Sequence, residues 1–170
     1  TPRYGLHLDE NRQATKRYVL KAGLNGLTDW GVLGAVVGRM AGSYWEVPVI
    51  EGVEQVPTSD EMKHMGAAMA SYGSTPLFHI VGITPEAQSL EDVGGHKLEA
   101  VEIGATELNA LRSIFGARGD KVNVVVFAAP QLSIVEMQQV ADLVDGQKLH
   151  ADTALIVCTT PSVYTDAARM

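Results

Sequence analysis

The sequence has little cysteine, since Cys158 is the only thiol among 170 residues. One thiol cannot form a disulfide within the chain, and this excludes the disulfide-stapled frameworks of small extracellular domains. A reducing, cytoplasmic compartment is therefore expected. A single thiol is also too few to hold a metal ion or an iron–sulfur cluster alone.

The chain also lacks an excess of basic charge and a long hydrophobic run. Asp and Glu outnumber Lys and Arg by 20 to 13, and the formal net charge is −7. Nucleic acids and anionic membranes attract basic surfaces, so neither is an expected partner. No apolar run approaches the roughly 20 residues of a membrane helix, and no signal peptide is visible. Because the chain begins with Thr-Pro, we interpret it as a domain excised from a longer polypeptide.

What is present is the composition of a globular domain, with 46% hydrophobic and 19% charged residues. The length suits a single α/β domain over residues 1–170 with a real core. Short apolar segments alternate with helical patterns, which predicts a three-layer α/β/α domain with a mostly parallel sheet. Strands are predicted at 47–50, 77–81, 101–103, 122–127 and 154–157, and a loop at 87–97. Residues 15–22 suit either a strand or a helical turn. Helices are predicted to end near residues 40, 71, 115 and 144, and a last one starts at 160.

Several residues predict where these elements begin or lie. Thr28 or Asp29, and then Thr106, are expected N-caps. Two capping boxes, Thr58 with Glu61 and Ser133 with Glu136, open further helices, and Thr160 precedes a proline at a helix start. Pro48 predicts an edge strand. The apolar run 122–127 predicts a central strand with Val124 and Val126 buried.

Four glycines repeat at helical spacing, namely Gly31, Gly34, Gly38 and Gly42. They share one helix face, although each costs roughly 1 kcal/mol of helix propensity relative to alanine. Close packing on the sheet or on a partner is the favoured explanation. The alternative is the approach of a ligand to the backbone at Gly31, near the helix start.

Polar chemistry concentrates near the N-terminus. The short run Tyr4–Leu8 ends in Asp, Glu, Asn and Arg, with His7 inside it. This pattern indicates a strand that delivers polar side chains to its carboxyl end, where open α/β sheets bind ligands. The alternative is a surface turn. Arg12 suits a bidentate contact with a substrate carboxylate or phosphate, or an ion pair with Asp9 or Glu10.

A second polar group follows the apolar run 77–81. His79 lies inside this run and is either a core histidine or a catalyst. Thr84 and Glu86 supply a hydroxyl and a carboxylate just beyond the strand, unless they cap a helix instead.

These segments also carry a family resemblance. Residues 1–12, 66–73, 77–86, 129–133 and 157–159 resemble, in the same order, motifs from the middle of the large catalytic subunit of the aconitase X family. The resemblance implies a hydro-lyase that removes water from a small hydroxy acid, either cis-3-hydroxy-L-proline, which is favoured, or mevalonate 5-phosphate. It also implies a small subunit or a fused swivelling domain that completes the active site. The isolated chain is then expected to be inactive.

With the resemblance, the polar residues take expected roles around one shared cleft. A dehydratase needs a base for an acidic C–H and an acid for the leaving hydroxyl. The expected catalytic residues are His7, Glu10 and His79, and the expected substrate-binding residues are Arg12, Thr84 and Glu86.

The resemblance further implies an iron–sulfur cluster in the full-length protein, with ligands at the positions of Ala129 and Cys158. Ala129 offers no thiolate, and Gln131 stands where the family usually has histidine. No cluster is therefore expected on the isolated chain. Cys158 is expected to be a residual metal ligand or a substrate-contacting thiol, with a buried, inert thiol as the alternative.

Two other classes of function remain open from the sequence. One is a non-catalytic α/β module that binds a small anionic metabolite, which the absence of a thiolate at Ala129 favours. The other is a purely structural domain.

Overall fold

The structure is a computed structural model that describes residues 5–116, 119 and 121–169. Contacts divide the chain into two compact units, the first ending at Phe115 and the second beginning at Gly116. The length predicted one domain, whereas the contacts form these two units, each with its own parallel sheet. The α/β class and the parallel strands predicted from the alternating pattern are confirmed.

The first unit contains a four-stranded parallel sheet and three helices. The strands are β1 (Lys16–Leu20), β2 (Pro48–Glu51), β3 (His79–Ile80) and β4 (Ala100–Ile103), in the spatial order β3-β2-β1-β4. The helices are α1 (Gly26–Ala41), α2 (Ser59–Gly73) and α3 (Ala105–Arg112).

The edge position predicted for the second strand is wrong, because β2 lies between β1 and β3. Pro48 is the first residue of β2. A proline there removes only an amide at the end of the ladder, so the strand can still pair on both sides.

The core of the first unit lies between the sheet and the helices. Tyr18, Ile50 and Ile80 point from the strands toward Trp30 and its neighbours, and all are buried. The other face is covered differently, since Val49 packs there against residues 87 and 93 of an irregular segment. The loop predicted at 87–97 is confirmed, and it ends in a 3-10 turn at Gly95–Lys97.

The glycine stripe of α1 is a contact surface for α2. A Cβ added at Gly34 or Gly38 would overlap the backbone of Met65 or Met69 in α2. Close packing is confirmed for these two positions, but they contact another helix of the same chain and not the sheet. Gly31 has open space around it, and Gly42 ends the helix in the left-handed conformation.

Two predicted capping boxes are confirmed. In α2 the Glu61 amide donates to Thr58 Oγ1 (3.2 Å), and the Thr58 amide donates to the Glu61 carboxylate (2.7 Å). Ser133 and Glu136 make the same two bonds at α4 (Ile134–Val144), with distances of 3.2 and 2.7 Å.

The predicted caps of α1 and α3 are wrong. Helix α1 begins after Asn25, whose amide donates to Asp29 Oδ2 (2.8 Å). Helix α3 begins after Gly104, whose amide donates to Glu107 Oε2 (2.8 Å). In both cases an acidic side chain of the first turn accepts from the amide of the cap residue, which is one of the two bonds of a capping box.

The second unit is a β–α–β segment followed by a helix. Strands β5 (Val124–Leu132) and β6 (Ala154–Thr159) are parallel, and α4 connects them. Helix α5 (Pro161–Ala167) begins with Thr160 as its N-cap and a proline in the first turn, as predicted. None of the helices in the described ranges has the length and apolarity needed to cross a membrane.

The prediction of a central, buried strand at 122–127 is wrong. Val124 and Val126 are 51% and 53% exposed. Strand β5 pairs only with β6, so it is an edge strand in the part of the chain that the structure describes.

Candidate functional site

The N-terminal polar segment forms two 3-10 turns, Gly5–His7 and Asp9–Asn11, and not the predicted strand. Gly5 has a φ of +60°, and its carbonyl accepts the Asn11 side-chain amide at 2.9 Å. These bonds fold the segment on itself, so the surface-turn alternative is correct. Tyr4 lies outside the described residues.

Arg12 fixes this segment to the loop that follows β3. Its guanidinium donates from Nε to Glu86 Oε2 (2.8 Å) and from Nη2 to Glu86 Oε1, and its Nη1 donates to the Leu6 carbonyl (2.7 Å). The ion-pair partner is therefore Glu86 and not Asp9 or Glu10. The hydrogen bond from Arg12 lowers the pKa of Glu86, and the same bond raises the pKa of Arg12.

His79 connects this pair to the sheet. It pairs in register with Val49, so its ring lies on the sheet face opposite to the helices, and the residue is 1% exposed. Nε2 lies 2.8 Å from the Arg12 carbonyl oxygen. A carbonyl oxygen can only accept, so Nε2 carries the proton in this contact.

Thr84 closes the turn after β3. Its hydroxyl accepts from the Ile80 amide (2.9 Å) and donates to the Ile80 carbonyl (3.1 Å). Residues 81–86 form turns, so the helix cap considered for Thr84 and Glu86 is wrong.

The structure thus brings part of the predicted set together. Arg12, Glu86 and His79 are joined by direct contacts, and Thr84 belongs to the same loop as Glu86. His7 and Glu10 lie exposed on the turns that Arg12 holds. Arg12 and His79 were expected at the carboxyl ends of strands, and this prediction is wrong. Arg12 precedes β1, and His79 is the first residue of β3.

The carboxyl ends of β1 and β2 instead border a cleft of about 840 Å³ that the sequence analysis missed. Residues 19–25 and 52–55 line it, and Lys21 and Glu54 supply opposite charges. The feature of the sequence that could have indicated this cleft is Gly52, which directly follows β2. It has a φ of +80° and lies against the Leu20 carbonyl, where a Cβ would not fit.

Cys158 belongs to the second unit, near the end of β6. The β5–β6 register places residues 128–131, which include Ala129 and Gln131, between the pairs Phe127–Val157 and Leu132–Thr159. Ala129 and Gln131 thus lie on the strand next to that of Cys158, and Cys158 is half-buried.

The donor set of this chain does not fit an iron–sulfur cluster by itself. The sequence supplies one thiolate, and cluster ligation usually takes several. Across residues 5–116, 119 and 121–169, no three or more His, Cys, Asp or Glu side chains are grouped so as to hold a metal ion. No chemical step is therefore derived through such a group.

The fold defines an α/β protein built on parallel sheets, and comparison with known proteins specifies its family. The family model for the second domain of aconitase X matches residues 14–113, more than half of the chain. The chain belongs to the aconitase X family.

Similar proteins in this family include two enzymes and one solved structure. The cis-3-hydroxy-L-proline dehydratase of Hypocrea jecorina is 35% identical over 96% of this chain and 28% of its own length. The phosphomevalonate dehydratase large subunit of Methanothermobacter thermautotrophicus is 33% identical over 100% of this chain and 41% of its own. The crystal structure of Thermococcus kodakaraensis aconitase X in its holo-form matches with a TM-score of 0.86 and 32% identity, over 99% of this chain and 42% of that one. The chain therefore spans less than half the length of these relatives.

Proposed function

We propose that the chain is part of a hydro-lyase that removes water from a small hydroxy acid. The observation that carries this proposal is membership of the aconitase X family, together with relatives named as dehydratases. Those names include both cis-3-hydroxy-L-proline and phosphomevalonate dehydratases, at 35% and 33% identity. We propose cis-3-hydroxy-L-proline as the first substrate to test.

The reaction needs one base and one acid on the two sides of the bond that becomes unsaturated. A base takes the proton from the carbon beside the carboxylate, and an acid protonates the departing hydroxyl, so that an alkene and water result. His7 and Glu10 are the proposed acid–base pair, because both are exposed on the turns that Arg12 holds in place. His79 was expected to be catalytic as well, but its burial and its bond to the Arg12 carbonyl favour a positioning role.

Arg12 is the proposed anchor for the anionic group of the substrate. A guanidinium has five N–H donors, of which contacts to Glu86 and Leu6 occupy three. Two donors are left for a carboxylate or phosphate, and the side chain is 26% exposed. Glu86 and Thr84 support this anchor by holding Arg12 and the loop.

We also propose which other parts complete the enzyme and where it is located. A small subunit or a fused swivelling domain completes the active site, and one relative is itself named as a large subunit. Cys158 is proposed to face the substrate or to remain as one metal ligand. A cytoplasmic location is proposed from the single, free cysteine.

The test uses the full-length polypeptide with its small-subunit partner, and follows the loss of one water from each hydroxy acid by mass spectrometry. Glu10→Gln is expected to lower kcat by about 10²-fold or more, as removal of an acid–base group does. Arg12→Met is expected to raise KM. Glu99→Gln, an exposed carboxylate in the loop before β4, is the matched control and should leave both constants unchanged.

Two results would contradict the proposal. Loss of water from neither hydroxy acid would contradict the hydro-lyase, and calorimetric binding without turnover would favour the metabolite-binding module. Lys21→Met tests the cleft at the ends of β1 and β2. A larger KM effect there than at Arg12 would move the substrate site to that cleft.

A further inference from the structure

The β5–β6 sheet has one open apolar face. Val124 pairs with Ala154, and Val126 pairs with Ile156, so these four side chains lie on the same side of the sheet. Val124, Val126 and Ile156 are 51%, 53% and 47% exposed. On the other side Val125, Leu155 and Val157 are partly buried, while Phe127, which pairs with Val157, is 41% exposed. We name Val124, Val126 and Ile156 the open face.

Parallel sheets are normally covered on both faces. The second unit supplies cover for one face only, because a single right-handed crossover places α4 on one side of β5 and β6. Helix α5 packs against α4. The open face therefore needs cover from elements other than these two helices.

We propose that the open face packs against a helix from the part of the same polypeptide that lies outside residues 1–170. In a parallel sheet the second helical layer comes from the crossovers of further strands in the same chain. The relatives have room for these strands, since this chain spans only 28% to 42% of their lengths. This proposal does not depend on the proposed activity.

The chemistry of the open face defines the surface that covers it. Its three side chains are aliphatic and uncharged, and they come from adjacent strands. The surface that complements the open face is the apolar stripe of an amphipathic helix, with residues at i, i+3, i+4 and i+7. A charged or nucleic-acid partner would find no complementary group there.

Cysteine labelling in the full-length polypeptide tests the proposal. Val126→Cys and, separately, Ile156→Cys are treated with a maleimide under native conditions, and labelled sites are resolved by peptide mass mapping. The control is Gln147→Cys, in the exposed turn after α4. Both open-face cysteines are expected to react at least about 10-fold more slowly than the control, since a packed position reacts only when the structure opens locally. In the 170-residue chain all three are expected to react at similar rates.

Three outcomes would overturn the proposal. Equal labelling rates in the full-length polypeptide would show that the face is not covered. Protection that disappears on dilution to a monomer would assign the cover to a second copy. Protection that requires an added small subunit would assign it to that subunit.

Discussion

The two parallel sheets of this chain differ in how much of their apolar surface is covered. In β2, Val49 and Ile50 are both 0% exposed, while Val124 and Val126 in β5 are about half exposed. Both strands contain consecutive aliphatic residues, Val49–Ile50 in β2 and Val124–Val126 in β5. The difference lies in the layers that cover the strands. Helices pack against the Ile50 side of β2 and an irregular segment against its Val49 side, whereas the Val124 and Val126 side of β5 stays exposed among the described residues.

An apolar run carries information about a strand but not about the elements that cover it. A run of aliphatic residues predicts that a strand will be buried once its complete sheet exists. It does not indicate whether the covering elements lie in the same segment of chain. Strand β5 has the sequence of a central strand and the surroundings of an edge strand.

The largest expected difference between the sheets comes from removing one large side chain from each. Ile50→Ala is expected to cost about 2–5 kcal/mol of unfolding free energy, because it leaves a cavity in a closed core. Ile156→Ala is expected to cost under about 0.5 kcal/mol in the 170-residue chain, since that side chain is already half exposed. Urea denaturation of both variants measures this. Similar costs would show that the second sheet is as well packed as the first.

The next prediction concerns the close contact between the backbones of α1 and α2 in the first unit. Gly34→Ala is expected to destabilise the chain by about 2 kcal/mol, because the new methyl group would overlap the Met65 backbone and force α1 and α2 apart. Gly31→Ala, one turn earlier in the same helix, meets nothing and should stabilise by up to about 1 kcal/mol. Thermal denaturation compares the two. A stable Gly34→Ala variant would mean that the helices tolerate a wider spacing.

The features predicted correctly from the sequence are mostly local. The Thr58 and Ser133 capping boxes depend on residues three positions apart, and the alternation of strands and helices depends on short repeats. Strand order, in contrast, could not be predicted from local sequence. The position of β2 inside the sheet depends on which strands come to its sides, and Pro48 alone carries no information on that.

The candidate site shows the same limit. The sequence offers Asp9 and Glu10 as possible ion-pair partners of Arg12, but the partner in the structure, Glu86, lies 74 positions away. His79 is buried on the side of the sheet where Val49 packs against the irregular segment, and its own sequence gives no sign of that segment. The cleft beside Gly52 could be suspected only from a glycine after a strand, which is a weak signal.

Helix caps provide a comparison in which the two units are expected to agree. Thr58→Ala and Ser133→Ala each remove a side-chain acceptor from a first-turn amide, at a cost of about 1 kcal/mol. The loss of a cap acts locally, so its cost should be similar for α2 in the first unit and α4 in the second. Hydrogen exchange of the first-turn amides of α2 and α4 measures it. A severalfold greater cost at Ser133 would show that α4 depends on its cap because its packing is weak.

The smallest expected effect is electrostatic and depends on pH. Arg12 lowers the pKa of Glu86 below its ordinary value of 4.5, so ionised Glu86 stabilises the folded chain above that value. This contribution is lost as the pH falls through the lowered, folded-state pKa. Since the Glu86 side chain is 46% exposed, Glu86→Gln is expected to cost under about 1 kcal/mol at neutral pH, and less in high salt. Asp166→Asn is the control in the second unit, because its pair with Arg169 is exposed at both ends and should contribute nothing measurable. Denaturant midpoints between neutral and strongly acidic pH should therefore converge for Glu86→Gln and the unmodified chain. A gap that persists in acid would mean that Glu86 stabilises the loop by packing and not by its charge.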